Sequence, residues 1–183
     1  MLKKSLKICF GLLILLTIII TYLVSDFNPI YQNSEFVFIT NEIKKSQKES
    51  LKPIIEIHNK INEKTKELDC PCKFVSNNIP TITHSSLFKK ALYYFKIKKE
   101  FSNDECLSFV LLNYDFGDHN RGVEEASKFY FKKNIEQLNK TEILSLIAML
   151  KNSGLYNPFR NGEKLKRKVQ YFEKIVQNQS EEK

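Results

Sequence analysis

The side chains of this chain best equipped for chemistry are few and scattered. Cys70-Pro71-Cys72 places two thiols two residues apart, Glu56 stands two residues before His58, and His84 and His119 fall in turn-rich stretches. A disulfide between residues two apart would close a tight, labile ring, and a metal site needs about four ligands, so the cysteine pair reads as a structural bend. Cys9 falls in an apolar run and Cys106 on an apolar helix face, which leaves no disulfide framework and no metal set. Glu56 and His58 occupy positions i and i+2 of a helical pattern, which do not share a face. Phe129-Tyr130-Phe131 at helical spacing reads as core.

The amino terminus supplies an address. Met1 to Lys7 carries three lysines, and Ile8 to Val24 follows without a charge. At 1.5 Å per residue that run just crosses a hydrocarbon core. Lysines before it and none directly after it predict a cytoplasmic amino terminus and an extracytoplasmic body. No small-x-small cleavage site follows at Thr21 to Asp26, so an anchor is expected over a cleaved signal. The formal charge is +8, from 29 Lys+Arg against 21 Asp+Glu. Such a balance attracts anionic headgroups or pyrophosphates at a membrane, or simply solvates the surface. Nucleic acid is not an expected partner outside the membrane.

Fourteen Phe and eight Tyr support a folded domain, and five Gly with five Pro argue for helices over turn-rich β structure. The expected order is a cytoplasmic tail 1–7, a transmembrane anchor 8–24, a juxtamembrane linker 25–41, one domain over 42–178 and a polar tail 179–183. Glu35 to Thr40 has the character of a short strand. Asn41 to Leu68 patterns as one or two amphipathic helices with Pro53 in a first turn. Asp69 to Thr83 reads as loop, and helix resumes after Ser85 or Ser86. Ser102 caps a helix that is apolar almost all round over Cys106 to Leu112, which means a buried helix. Thr141 before Glu142 reads as the next cap, Gly154 as that helix's end, and Asn161 as the cap of the last helix.

Residues 102–170 resemble the second half of a family 51 glycosyltransferase, the peptidoglycan transglycosylase module of penicillin-binding proteins and monofunctional transglycosylases. Ser102 to Leu107 is similar to the family's Ser-Lys-x-Glu-Ile-Leu. Phe116-Gly117 and Gly122-Val123-Glu124-Glu125-Ala126 match Tyr-Phe-Gly, four residues, Gly-Val-Glu-Ala-Ala. Tyr130-Phe131-Lys132-Lys133 follows Tyr-Phe-Gly-Lys with Lys132 in place of the glycine. Leu138 and Glu142 fit Leu-Thr-x-x-Glu, Tyr156-Asn157-Pro158 is Tyr-Asn-Pro unchanged, and Arg167 falls near a terminal arginine.

The resemblance implies a mainly α, lysozyme-like transglycosylase domain behind a single-pass anchor, with a trimmed membrane-facing jaw. Gly117, Gly122, Tyr130, Phe131, Lys133, Glu142, Tyr156, Asn157 and Pro158 are its motif residues and are expected to be structural. Joining a sugar hydroxyl to a lipid-pyrophosphate sugar needs a carboxylate to take the acceptor proton. It also needs hydroxyls or cations to stabilise the departing pyrophosphate. Thr81, Thr83, Lys89 and Lys90 are the residues the resemblance offers for the second task, with Lys90 standing where the family has a second glutamate. For the first task the family's Glu-Asp-x-x-Phe-x-x-His-x-Gly has no full counterpart, and Glu35 and Glu56 are the two candidates. The implied function is a degenerate transglycosylase-like protein of cell-wall biosynthesis that binds a lipid-linked glycan, a glycan strand or a cell-wall protein. The alternatives are an active divergent polymerase and a bare membrane-anchored scaffold. No cofactor is expected, save a divalent cation should the domain be active.

Overall fold

The computed structural model describes residues 2–79 and 87–178, and the regular structure among them is helical. The helix at the centre is α6 (Asn103–Asn113). At its start the Glu105 amide donates to Ser102 Oγ at 3.2 Å, and the Ser102 amide donates to the Glu105 carboxylate at 2.8 Å. That reciprocal cap satisfies two amides with no partner inside the helix. Cys106 to Leu111 are all buried, because α6 divides two apolar cores. Leu107 and Leu111 join α3 (Lys52–Thr65), α7 (Val123–Ala126), α8 (Lys140–Lys151) and α9 (Gly162–Asn178). Cys106, Phe109 and Val110 join α2 (Ser34–Lys45), α4 (Pro71–Asn77) and α5 (Leu87–Glu100).

The long elements follow the apolar spacing. Leu165, Val169, Phe172 and Val176 put one stripe of α9 into the core. Pro53 lies in the first turn of α3, where its missing amide costs nothing. The helix α1 (Leu2–Val24) is long and apolar enough to cross a membrane, and its described side chains are mostly exposed. Its end is tied to the domain. Tyr31 Oη lies 2.9 Å from the Leu23 carbonyl and 3.3 Å from that of Leu92 on α5, and Tyr93 Oη donates to the Ile30 carbonyl at 2.8 Å.

Five expectations are corrected. Glu35 to Thr40 is not a strand but the body of α2, because Phe36 and Ile43, seven residues apart, form a helical face buried against α5 and α6. Asp69 to Thr83 is not all loop. Pro71, fixed near helical φ, opens α4, and Cys72 and Val75 bury into the second core. Cys72 and Cys106 form a disulfide between α4 and α6, while Cys70, at the N-cap of α4, keeps its thiol. The helical turn separates Cys70 from Cys72 and aims Cys72 at the start of α6. Finally, α8 is capped by Asn139 and not Thr141. Asn139 Oδ1 accepts the Glu142 amide at 2.9 Å and the Glu142 carboxylate takes the Asn139 amide at 2.8 Å, the three-residue spacing a cap requires. The helix ends at Lys151 with Asn152 as C-cap, two residues before Gly154. Asn161 directly precedes α9 and accepts the Leu165 amide through its carbonyl, while its side chain donates to the Gly154 carbonyl.

Candidate functional site

Among the described residues, a half-open cleft of ≈ 880 Å³ opens between α2, α4 and α6. Its apolar walls are Phe38 and Ile39 of α2, Phe74 and Val75 of α4, and Phe109 of α6. Its polar groups are Ser34 and Glu35 at the start of α2, Asn78, Asn113, Asp115, Arg121 and Ser153. The disulfide joins the two helices that carry the α4 and α6 walls.

Glu35 is positioned by a cap. Asn33 Oδ1 accepts the Glu35 amide at 2.9 Å, which fixes the first turn of α2 and leaves the Glu35 side chain half-buried at the cleft. Its carboxylate also faces Tyr93 of α5, whose phenol is pushed up by burial and then by the Glu35 charge. Glu42 lies seven residues further along α2, two turns on and so on the same face, half-buried and paired with Lys45 at 3.0 Å. The sequence offers no sign of it, because only the continuation of α2 from Ser34 through Lys45 puts Glu42 on the face of Glu35. Glu56 is exposed on α3 beside Lys52 and does not line the cleft.

His58 is buried beneath the cleft. It lines a smaller cavity of ≈ 120 Å³ with Leu107, Val110, Phe74 and Tyr114. The Phe74 and Tyr114 rings, 5.7 Å apart, line both spaces. Burial holds the His58 imidazole below its usual pKa, against its contact with Asn59 Oδ1 at 3.4 Å. Lys89 and Lys90 are half-buried in the first turn of α5 and do not line the cleft; Lys89 Nζ lies 6.0 Å from the Tyr93 ring centre. Thr81, Thr83 and the proposed caps Ser85 and Ser86 lie outside the described residues.

The motif residues come together as a brace behind the rim. Gly122, at φ +85, closes the turn against α6, and a Cβ there would meet the Leu112 carbonyl oxygen at 2.6 Å. Gly117, at φ +89, passes close to Tyr130 and Asn157. The Tyr130 hydroxyl lies 3.0 Å from both the Phe116 carbonyl and Asp118 Oδ2, and it accepts from Asn157 Nδ2 at 3.2 Å. Asn157 Nδ2 also donates to Asp118 Oδ2 at 2.8 Å, and Arg160 pairs with the same carboxylate. Asn157, hydroxyl and guanidinium hold Asp118 below the usual carboxylate range, while burial and then Asp118 push Tyr130 up to about 12. Asp118 is the central residue that the sequence did not single out. Lys133 donates to Glu142 at 2.7 Å, and Phe131 packs against the first core. Tyr156 packs on that core and Asn157 is 2% exposed.

The order of these turns and helices has relatives. A family model described as transglycosylase matches residues 73–177, more than half of the chain. The chain belongs to the transglycosylase family. This transglycosylase domain is similar to penicillin-binding protein 1A of Neisseria cinerea, 31% identical over 101 residues, 55% of the chain and 12% of the relative. Penicillin-binding protein 2a of Streptococcus pneumoniae is 35% identical over 78 residues, 41% of the chain and 11% of that protein. A biosynthetic peptidoglycan transglycosylase of Acinetobacter baylyi is 28% identical over 100 residues, 53% of the chain and 45% of that protein. The transglycosylase match thus spans less than half the length of each of these relatives. It begins after α2, so Glu35 and Glu42 lie outside it, while the brace lies inside.

Proposed function

We propose that this chain is a membrane-anchored, extracytoplasmic transglycosylase domain that binds a lipid-linked glycan precursor in the α2–α4–α6 cleft. It would serve peptidoglycan assembly without polymerising efficiently. The cleft carries the reading: apolar walls with Arg121 and a few polar groups at the rim suit an amphiphile with an anionic head. The names of the relatives support peptidoglycan as the glycan. The disulfide supports an oxidising compartment, and Lys3, Lys4 and Lys7 before the apolar run of α1 support a cytoplasmic amino terminus. Inefficiency follows from Lys90, a cation where the family pattern has a second glutamate. Loss of a general acid or base costs about a hundred- to ten-thousand-fold.

A second reading, a working polymerase, is favoured by one observation. Glu35 is a half-buried carboxylate in the wall of the cleft, the placement a base for an acceptor hydroxyl requires. The deciding assay uses lipid II in detergent micelles with α1 retained, reading binding and polymer together. The proposal expects binding without polymer. Polymer that disappears in Glu35→Gln or Glu42→Gln replaces it with the enzyme, and absence of binding leaves a scaffold.

A further inference from the structure

We propose that Asp118 is a positioning residue of the cleft, binding two loops into one rim so that Arg121 is held where the ligand's anionic group enters. The inference rests on the reading of the cleft as a binding site. Gly117, Asp118 and His119 are consecutive left-handed residues, with φ of +89, +51 and +64. Only the first is a glycine, and non-glycine residues adopt this conformation in succession only where surrounding contacts impose it. The imposing contacts converge on the Asp118 carboxylate. They come from Tyr130 on the turn after α7 and from Asn157 and Arg160 on the loop between α8 and α9. Three donors to one carboxylate are more than a simple reverse turn needs.

Each side of the brace leads to the cleft. On one side the Phe116 amide donates to the Asn120 carbonyl and the Gly122 amide to that of Tyr114, closing an antiparallel bridge between Asp115 and Arg121. Both of those residues line the cleft, and Arg121 Nε donates to the Asn113 carbonyl at 3.2 Å. On the other side the Tyr156 amide donates to the Asn152 carbonyl, and between those two residues lies Ser153, also a cleft residue. Asn157 secures its own loop by accepting the Phe159 and Arg160 amides. Losing the Asp118 charge would leave both loops folded on their local bonds and let them move apart, carrying Arg121 with one of them.

The test is a double-mutant cycle on lipid II binding in micelles, since residues acting through one another give non-additive losses. Asp118→Asn and Arg121→Gln are each expected to weaken binding about tenfold, the scale of one lost charge-assisted bond. The double variant is expected to bind no worse than Arg121→Gln alone. Additive losses of about a hundredfold, or wild-type affinity in Asp118→Asn, would overturn the proposal. Should wild type bind no lipid II, the functional reading fails by itself. The positioning role is then decided by the Arg121 Nε–H nuclear magnetic resonance signal. Solvent exchange of that proton at least about tenfold faster in Asp118→Asn supports the role, and an unchanged signal refutes it. If Asp118→Asn does not fold, Tyr130→Phe, which keeps the ring and removes one donor, takes its place in both measurements.

Discussion

Lys132 stands at φ +56, where the resemblance to Tyr-Phe-Gly-Lys offers a glycine. A left-handed lysine is strained by about 1 kcal/mol relative to glycine, and its local returns are a bond from Nζ to the Phe129 carbonyl at 3.0 Å and a place for the same ammonium 5.6 Å from the Phe129 ring centre. Lys132→Gly is therefore expected to raise the melting temperature by about 2–4 °C in a chain of this size. A lower melting temperature would show that the Nζ bond outweighs the backbone strain. Gly122 gives the opposite outcome. Gly122→Ala forces a Cβ against backbone that cannot yield, at 2.6 Å from the Leu112 carbonyl oxygen, and is expected to cost more than Lys132→Gly gains. His58 adds a pH dependence. Burial sets its folded pKa below the unfolded value of about 6.5, so its contribution is full above that pH and is lost as pH falls through the folded value. Thermal stability should fall as pH drops below about 6.5 in wild type and change much less in His58→Gln.

At the scale of elements, the buried helices were legible because their apolar residues repeat at helical spacing and their caps are explicit. Ser102 with Glu105 marks α6, and the stripe from Leu165 to Val176 marks α9. The elements misread are those whose identity depends on a distant partner. The Phe-Val-Phe-Ile-Thr run of α2 has strand-forming residues, and what makes it helical is the fit of Phe36 against Tyr93, ring centres 4.9 Å apart. The seven residues of α4 hold a proline and an asparagine, with a second asparagine as C-cap, and they are secured by Val75 in the second core and by the bond from Cys72 to Cys106. The cleft was illegible for the same reason, since its walls come from these two helices and α6. The disulfide spans 34 residues and is expected to contribute about 3–4 kcal/mol. Cys106→Ser, read by chemical denaturation, checks that figure, and a loss below about 1 kcal/mol would show that packing alone holds α4 against α6.

For the whole molecule, the proposed anchoring makes the junction between α1 and the domain the element that would set how the cleft faces a membrane. It is rigid by construction. The Tyr31 and Tyr93 hydroxyl bonds fasten the end of α1 to α5, and Lys96, almost fully buried, pairs with Asp26 after α1 and with Glu100 at 2.9 Å. Lys96 is buried while Asp26 is exposed and the Glu100 side chain is 35% exposed, so separating the lysine from both would leave its buried charge uncompensated. The clamp therefore keeps α5 beside the exit of α1. There Phe27 is 85% exposed, Leu87 85%, Phe88 60% and Phe95 58%, among Lys89, Lys90, Lys98 and Lys99. Large apolar side chains at that density fit a headgroup boundary better than open water, and the lysines reach anionic lipid. The chain has no tryptophan, so a single Phe88→Trp variant reports on that face alone. Reconstituted by α1 into vesicles containing anionic lipid, its emission should shift to the blue and resist aqueous quenchers. Replacing the clamp by Lys96→Met should reverse that shift while α1 stays inserted. An emission that remains water-like in the wild-type background would mean that the domain stands clear of the bilayer, and that the proposed amphiphilic ligand would have to reach the cleft from solution instead of from the membrane plane.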